Sequence, residues 1–70
     1  MTEPYFRLIE KQGLCSEWTE VEGFETYMQA SRAAKERSTT RPGTYQRVIG
    51  DHVNGAVIIT YSEGMPVYNM

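Results

Sequence analysis

The chain has one cysteine and one histidine among its 70 residues, and this scarcity excludes several classes of protein. Cys15 has no second cysteine with which to close an internal disulfide, so a disulfide-rich secreted domain is excluded. Zinc sites need several Cys or His ligands at short spacings, which Cys15 and His52 do not supply. We therefore expect no metal site, and a protein that folds and stays in a reducing cytoplasm.

Long apolar runs and phosphate-binding glycine loops are also missing. No stretch reaches the roughly 18 apolar residues of a membrane span, so we expect no membrane partner. The six glycines follow neither the P-loop nor the dinucleotide-binding spacing. His52 is predicted in an exposed turn, and Cys15 has no flanking cation that would activate its thiol. We expect a protein that is not an enzyme, with no catalytic residue and no cofactor.

What the sequence does contain is the pattern of one small α+β domain over residues 1–70, because so short a chain can bury only one core. Apolar and β-branched residues predict strands over residues 5–11, 17–23, 44–50, 56–61 and 65–69. Pro66 has no backbone N–H, so the last strand is predicted at a sheet edge. Asn54 and Gly55 predict a type I′ turn that closes Val53 against Ala56.

One helix is predicted between the second and third strands. Thr26 and Gln29 have the spacing of a capping box, which marks the first turn of a helix. Positions at helical spacing then form a narrow, mostly alanine stripe, which consists of Tyr27, Ala30, Ala33, Ala34 and Arg37. Residues 38–43 are predicted to end the helix, because Pro42 cannot continue it. The predicted order is β-β-α-β-β-β, a single helix packed on a four- to five-stranded, mainly antiparallel sheet.

A single helix covers one face of a sheet, yet two of the predicted strands carry apolar residues on both faces. Alternation places Phe6 and Leu8 on the face opposite Ile9. In the fourth strand it places Val57, Ile59 and Tyr61 on one face and Ala56 and Ile58 on the other. The second face is either an interface or covered by the tails and the first loop, and both alternatives stay open.

Charge is distributed unevenly along the chain. Residues 1–31 hold six carboxylates against two cations, and residues 32–47 hold five cations against Glu36. We predict that four of the carboxylates form a solvated acidic edge, namely Glu17, Glu20, Glu22 and Glu25. The five cations are candidates for partner binding, namely Arg32, Lys35, Arg37, Arg41 and Arg47. Cations near a helix C-terminus also complement its dipole, which is the structural alternative for three of them.

Aromatic residues are more numerous than so small a core requires. Tyrosine, tryptophan and arginine are enriched at binding hot spots, so we predict four aromatic contact positions, namely Tyr5, Trp18, Tyr45 and Tyr61. A nucleic acid would instead stack its bases on aromatic rings flanked by cations. In the sequence only the stretch from Tyr45 to Arg47 shows that interleaving.

The order of motifs resembles that of small phage-encoded host-takeover proteins. The chain is similar to a type I-F anti-CRISPR protein over roughly the last 40 residues. The similarity lies in residues 30–36 of the helix, the run from Gly43 to residue 49, the turn at Asn54 and Gly55, and the turn at Glu63 and Gly64. The resemblance implies a non-enzymatic protein that binds backbone subunits of an RNA-guided complex and obstructs target DNA. It implies contacts through Arg32, Lys35, Arg37 and Arg47.

Two functional hypotheses follow. The first is a non-catalytic protein-binding module, a phage or prophage inhibitor in the host cytoplasm that occupies the surface of a host protein or ribonucleoprotein complex. The second is a small nucleic-acid-binding or regulatory protein that uses the basic segment 32–47. A homodimer is a further alternative, because a core of this size often needs a partner surface for stability.

Overall fold

A computed structural model of the chain describes residues 5–13, 17–51 and 54–68. The predictions made for Cys15, His52, Val53 and Asn69 lie outside these residues. The elements are β1 (Phe6–Gln12), β2 (Thr19–Phe24), α1 (Tyr27–Thr40), β3 (Thr44–Gly50), β4 (Ala56–Ser62) and β5 (Met65–Pro66). The strands form one antiparallel sheet in the order β2-β1-β3-β4-β5. The predicted α+β class and the order β-β-α-β-β-β are confirmed.

The helix begins where its capping box predicts. The Gln29 backbone N–H donates to Thr26 Oγ1 at 3.2 Å, and the Thr26 N–H donates to Gln29 Oε1 at 3.4 Å. The helix continues through Thr40, so it ends within the predicted stretch of residues 38–43. The hydroxyls of Ser38 and Thr39 donate to the Lys35 carbonyl, so these side chains are satisfied inside the helix instead of ending it.

The core lies between the alanine stripe of α1 and the central strands. Ala30 and Ala34 are fully buried against Leu8 and Val48, which are also fully buried. Because alanine side chains are short, the helix axis can approach the sheet closely. Partly buried residues surround this cluster, namely Phe6, Val21, Phe24, Ala33, Ile59 and Tyr61.

A β-bulge in β2 changes which residues share a face. Leu8 pairs with Glu22 and Ile9 pairs with Glu20, so Val21 is an extra residue in the ladder. Leu8 and Ile9 are consecutive residues of β1 and lie on opposite faces of the sheet. Their partners Glu22 and Glu20 therefore also lie on opposite faces. Strict alternation over residues 17–23 predicts that Glu20 and Glu22 share a face. The inserted residue places them on opposite faces, so that prediction is wrong.

A second bulge has the same effect in β4. Val48 pairs with Ile59 and Ile49 pairs with Val57, which leaves Ile58 as the extra residue. Ile59 therefore packs on the side of the helix, whereas Val57 lies on the opposite face and is 50% exposed. The predicted common face for Val57 and Ile59 is also wrong.

The connection between β3 and β4 has the predicted backbone at Asn54 and Gly55. Asn54 and Gly55 have φ values of 62° and 72°, as a type I′ turn requires. Ala56 pairs with Gly50, and the Gly55 N–H donates to the Gly50 carbonyl at 3.1 Å. The predicted closure of Val53 against Ala56 lies outside the described residues. Directly after β3, the Asp51 N–H donates to the Tyr5 carbonyl at 2.9 Å.

At the far end of the sheet, β5 is short and lies at the edge, as Pro66 predicts. Its two pairs join Pro66 to Tyr61 and Met65 to Ser62. The adjoining turn contacts the helix, since the Gly64 N–H donates to Ser38 Oγ at 2.8 Å. A side chain at Gly64 would approach Thr39 Oγ1 to 2.7 Å, so only glycine fits this contact between turn and helix.

Candidate binding surface on the uncovered face of the sheet

The face of the sheet that α1 does not cover is built from three cross-strand rows, and we call it the open face. Cross-strand partners share a face, so the pairing assigns each row. The central row contains Glu20, Ile9, Arg47 and Thr60, and the flanking rows contain Lys11, Tyr45 and Ser62, and Arg7, Ile49 and Val57. Among the residues described, no helix or further strand packs on this surface.

Trp18, which directly precedes β2, lies on the open face between two cations. The Arg47 Cζ atom is 4.3 Å from the centroid of the Trp18 ring, and the Lys11 Nζ atom is 5.6 Å from it. Both distances are those of cation–π contacts. Arg47 Nε also donates to Thr60 Oγ1 at 3.1 Å, and Thr60 is 3% exposed. We call Lys11, Trp18, Arg47 and Thr60 the Arg47 site.

The positive charge of the Arg47 site is not compensated within the described part of the chain. The two nearby carboxylates of the open face are held by Arg7, which is 2.7 Å from Glu20 and 2.8 Å from Asp51. The hydrogen bonds to Glu20 and Asp51 raise the pKa of Arg7. By contrast, burial lowers the pKa of Arg47. A half-buried guanidinium that forms no salt bridge with any described residue is therefore the distinctive chemical feature of this face.

On the face covered by the helix, a different group of charges surrounds Glu10. Its Oε1 atom accepts from Arg37 Nη2 at 2.9 Å, Arg41 Nε at 2.7 Å and Gln46 Nε2 at 2.7 Å. Glu10 is only 7% exposed. We call Glu10, Arg37, Arg41 and Gln46 the Glu10 network. Arg37 and Arg41, predicted as partner contacts, are thus engaged within the chain itself.

Two opposing effects act on the pKa of Glu10. Burial by itself raises this pKa, but the hydrogen bonds from Gln46, Arg37 and Arg41 together outweigh burial and leave it below its ordinary value of 4.5. The carboxylate is therefore charged at neutral pH. Glu10 was absent from the predicted site residues, although the sequence holds a signal for it. Glu10 follows Leu8 by two positions and so belongs to the core face, where a carboxylate requires donors.

Arg32 and Lys35 lie on the solvent-exposed side of the helix, which we call its outer side. Both are exposed, and within the described residues neither forms a salt bridge. With Met28, Ser31 and Tyr61 they line a shallow cavity. The basic segment 32–47 is thereby divided among the outer side of the helix, the Glu10 network and the open face.

The four aromatic positions predicted as contacts are also divided. Trp18 and Tyr45 are half-buried on the open face. Tyr61 packs beside the core on the helix side, where burial raises the pKa of its hydroxyl. Tyr5 is 54% exposed just before β1. The structure therefore brings Trp18 and Tyr45 together with Arg47 and places the other two tyrosines elsewhere.

The acidic residues of the first half behave as predicted. All four are exposed on or beside the edge strand β2, namely Glu17, Glu20, Glu22 and Glu25. In the described segments 5–13, 17–51 and 54–68, no group of three or more His, Cys, Asp or Glu residues is placed to hold a metal ion. No helix within those segments has the length and apolar character needed to cross a membrane.

The open face thus combines half-buried aromatic rings, apolar side chains and a guanidinium that has no counter-ion among the described residues. Such a surface can take an apolar or aromatic group together with an anion. Comparison of the chain with protein families, with curated proteins and with solved structures finds no match.

Proposed function

We propose that this protein is a non-catalytic protein-binding module that docks through its open face. The observation that carries the proposal is that the helix covers one face of the sheet only, while the other presents Trp18, Tyr45 and Arg47 side by side. Trp, Tyr and Arg dominate binding hot spots because they offer a large contact area with polar ends. Ile49 and Val57 extend the same face with apolar surface.

The resemblance noted in the sequence makes the proposal more specific. A protein of this kind acts as a phage or prophage inhibitor that occupies the surface of a host protein or ribonucleoprotein complex in the cytoplasm. Of the implied contacts, Arg47 lies on the open face, whereas Arg32 and Lys35 form a second surface on the helix. Arg37 and Arg41 are not kept as contacts, because binding a partner would take them from the buried Glu10.

A second candidate function, the binding of single-stranded nucleic acid, is favoured by the placement of Lys11 and Arg47 around Trp18. Single strands bind to surfaces where bases stack on aromatic rings and phosphates meet cations. Such binding weakens steeply with salt, whereas a largely apolar protein interface changes little.

Affinity capture from a bacterial lysate, with and without nuclease, tests the proposal. Lys11→Glu reverses a charge on the open face, and Arg32→Glu reverses a charge on the outer side of the helix. We expect a protein partner that survives nuclease, is lost with Lys11→Glu and is retained with Arg32→Glu. Recovery of nucleic acid alone would favour the second candidate, and loss with Arg32→Glu alone would move the interface to the helix. Sedimentation of the purified protein decides the homodimer alternative.

A further inference from the structure

Arg47 differs from the other arginines whose side chains are partly buried. Arg7 binds Glu20 and Asp51, and both Arg37 and Arg41 bind Glu10. Within the described segments, Arg47 is the half-buried arginine that forms no salt bridge. A desolvated charge without a counter-ion is costly, and an incoming anion removes much of that cost.

The geometry of Arg47 leaves part of its guanidinium ready to bind. The guanidinium is held at two points: its Cζ atom lies 4.3 Å from the centroid of the Trp18 ring, and its Nε donates to Thr60 Oγ1 at 3.1 Å. The terminal nitrogens Nη1 and Nη2 donate to no described residue. A guanidinium held in this way loses little conformational freedom when it binds an oxyanion through two parallel hydrogen bonds.

Resting on the proposed function above, we infer that the open face recognises its protein partner by taking an Asp or Glu carboxylate onto the terminal nitrogens of Arg47. Lys11, whose Nζ is 5.6 Å from the same Trp18 ring, adds a second positive charge beside that carboxylate. Ile49 and Val57, in the row next to Arg47, offer apolar surface for a neighbouring side chain of the partner.

Charge and stacking both favour a carboxylate from a protein over the phosphates of a nucleic acid. The Arg47 guanidinium already stacks on the Trp18 ring, so a base would have to displace it. Among the described residues, only Lys11 and Arg47 are uncompensated cations on this face, whereas a strand of nucleic acid needs a continuous basic track. The adjacent edge strand β2 is acidic and repels a polyanion more strongly than a single carboxylate.

Trp18 provides the readout for a test, because it is the only tryptophan of the chain and touches Arg47. The probes are the blocked tripeptide acetyl-Leu-Glu-Leu-amide, its Gln counterpart and a short oligothymidylate, each titrated into the intact protein. We expect a saturable change in Trp18 emission with the Glu peptide, and binding of the Gln peptide that is weaker by about tenfold or more.

Paired variants locate the site. Arg47→Lys keeps the charge but loses the two-nitrogen fork, and we expect affinity for the Glu peptide to fall about fivefold or more. Arg32→Lys, the matched change on the outer side of the helix, should leave the affinity within about twofold of wild type. If Arg47→Lys proves unfolded by circular dichroism, Lys11→Gln replaces it and should weaken the Glu peptide while sparing the Gln peptide.

Several results would overturn the inference. These are an unchanged Trp18 emission, equal binding of the Glu and Gln peptides, equal losses from Arg47→Lys and Arg32→Lys, or tighter binding of oligothymidylate than of the Glu peptide. The lysate experiment separates this failure from failure of the proposed function. A protein still captured through the open face, without any response to the Glu peptide, contradicts the carboxylate receptor and leaves the binding module standing.

Discussion

The Glu10 network and the Arg47 site lie back to back on the same two strands. Glu10 pairs with Gln46 on the covered face, and the preceding residue of β1, Ile9, pairs with Arg47 on the open face. The pair Glu10–Gln46 and the next pair along the ladder, Ile9–Arg47, therefore face opposite sides of the sheet. The first contains a carboxylate with three donors, and the second contains a guanidinium with no counter-ion among the described residues. The same pairing of β1 with β3 underlies both sites. The difference in charge compensation therefore comes from α1, which covers the face of Glu10 and leaves the face of Arg47 uncovered.

The end of the helix supplies the positive charges that compensate Glu10. Arg37 lies in the last turn of α1 and Arg41 is its C-cap residue, so both reach the carboxylate beneath them. No described element lies over Arg47 in the same way. We interpret the charge of Glu10 as a contribution to stability and the charge of Arg47 as available for binding a partner. The four predictions that follow test this contrast, from the largest expected effect to the smallest.

Loss of the carboxylate at the Glu10 network should cost the most. Glu10→Gln leaves Arg37 and Arg41 close together without a negative charge, and we expect the free energy of unfolding to fall by roughly 2 to 4 kcal/mol. Urea unfolding at neutral pH measures this. Glu22→Gln, an exposed position on β2, is the control and should change stability by less than about 0.5 kcal/mol. Equal effects would mean that Glu10 is no more than a surface charge.

Packing should distinguish the two faces in the same direction. Ala34 is fully buried between helix and sheet, so Ala34→Leu should overpack the core and destabilise the protein by roughly 1 to 3 kcal/mol. Val57 is half exposed on the open face, and Val57→Leu should be tolerated within about 0.5 kcal/mol. Thermal unfolding of the two variants provides the comparison, and a larger loss from Val57→Leu would show that the open face is packed against something.

Acid should weaken the Glu10 network before the Arg47 site. Because the pKa of Glu10 in the folded protein lies below 4.5, its contribution to stability is complete above that pH and is lost as pH falls through the lowered pKa. Unfolding measured at a series of pH values from neutral to about 3 should therefore show a steeper loss in wild type than in Glu10→Gln. Parallel curves would contradict a lowered pKa at Glu10.

Removal of the charge at Arg47 should have the smallest effect on folding. Arg47→Met gives up the cation–π contact with Trp18 but also removes a desolvated charge, so we expect stability to stay within about 1 kcal/mol of wild type. Urea unfolding followed by Trp18 fluorescence measures the change. A loss as large as that of Glu10→Gln would assign Arg47 a structural role and end the contrast between the two faces.

Part of the fold could be read directly from the chain because its signals are local. The capping box of Thr26 and Gln29 and the positive φ values at Asn54 and Gly55 depend on neighbours a few residues away. The alanine stripe depends only on helical periodicity. Longer-range features were missed, among them the extra residues Val21 and Ile58, which exist only relative to a partner strand.

The candidate site follows the same division. Residue type alone identified Trp18, Tyr45 and Arg47 as contact candidates, since aromatic rings and guanidinium groups suit interfaces. It identified Arg37 and Arg41 on equal terms, because in the sequence a basic segment shows no partners. Glu10 is 27 and 31 positions from these arginines, a separation at which sequence carries no pairing signal.

By itself, then, the sequence determined the element order, the helix start and the alanine face that packs on the sheet. Tertiary structure alone decided which charges are compensated, because the antiparallel pairing of β1 with β3 and the position of the helix end bring residues together across the chain. Whether a counter-ion compensates a charge depends on the residues that surround the charge in space. That physical reason separates Glu10 from Arg47: strand alternation assigns each residue to a face, but only the tertiary structure supplies the donors that hold Glu10.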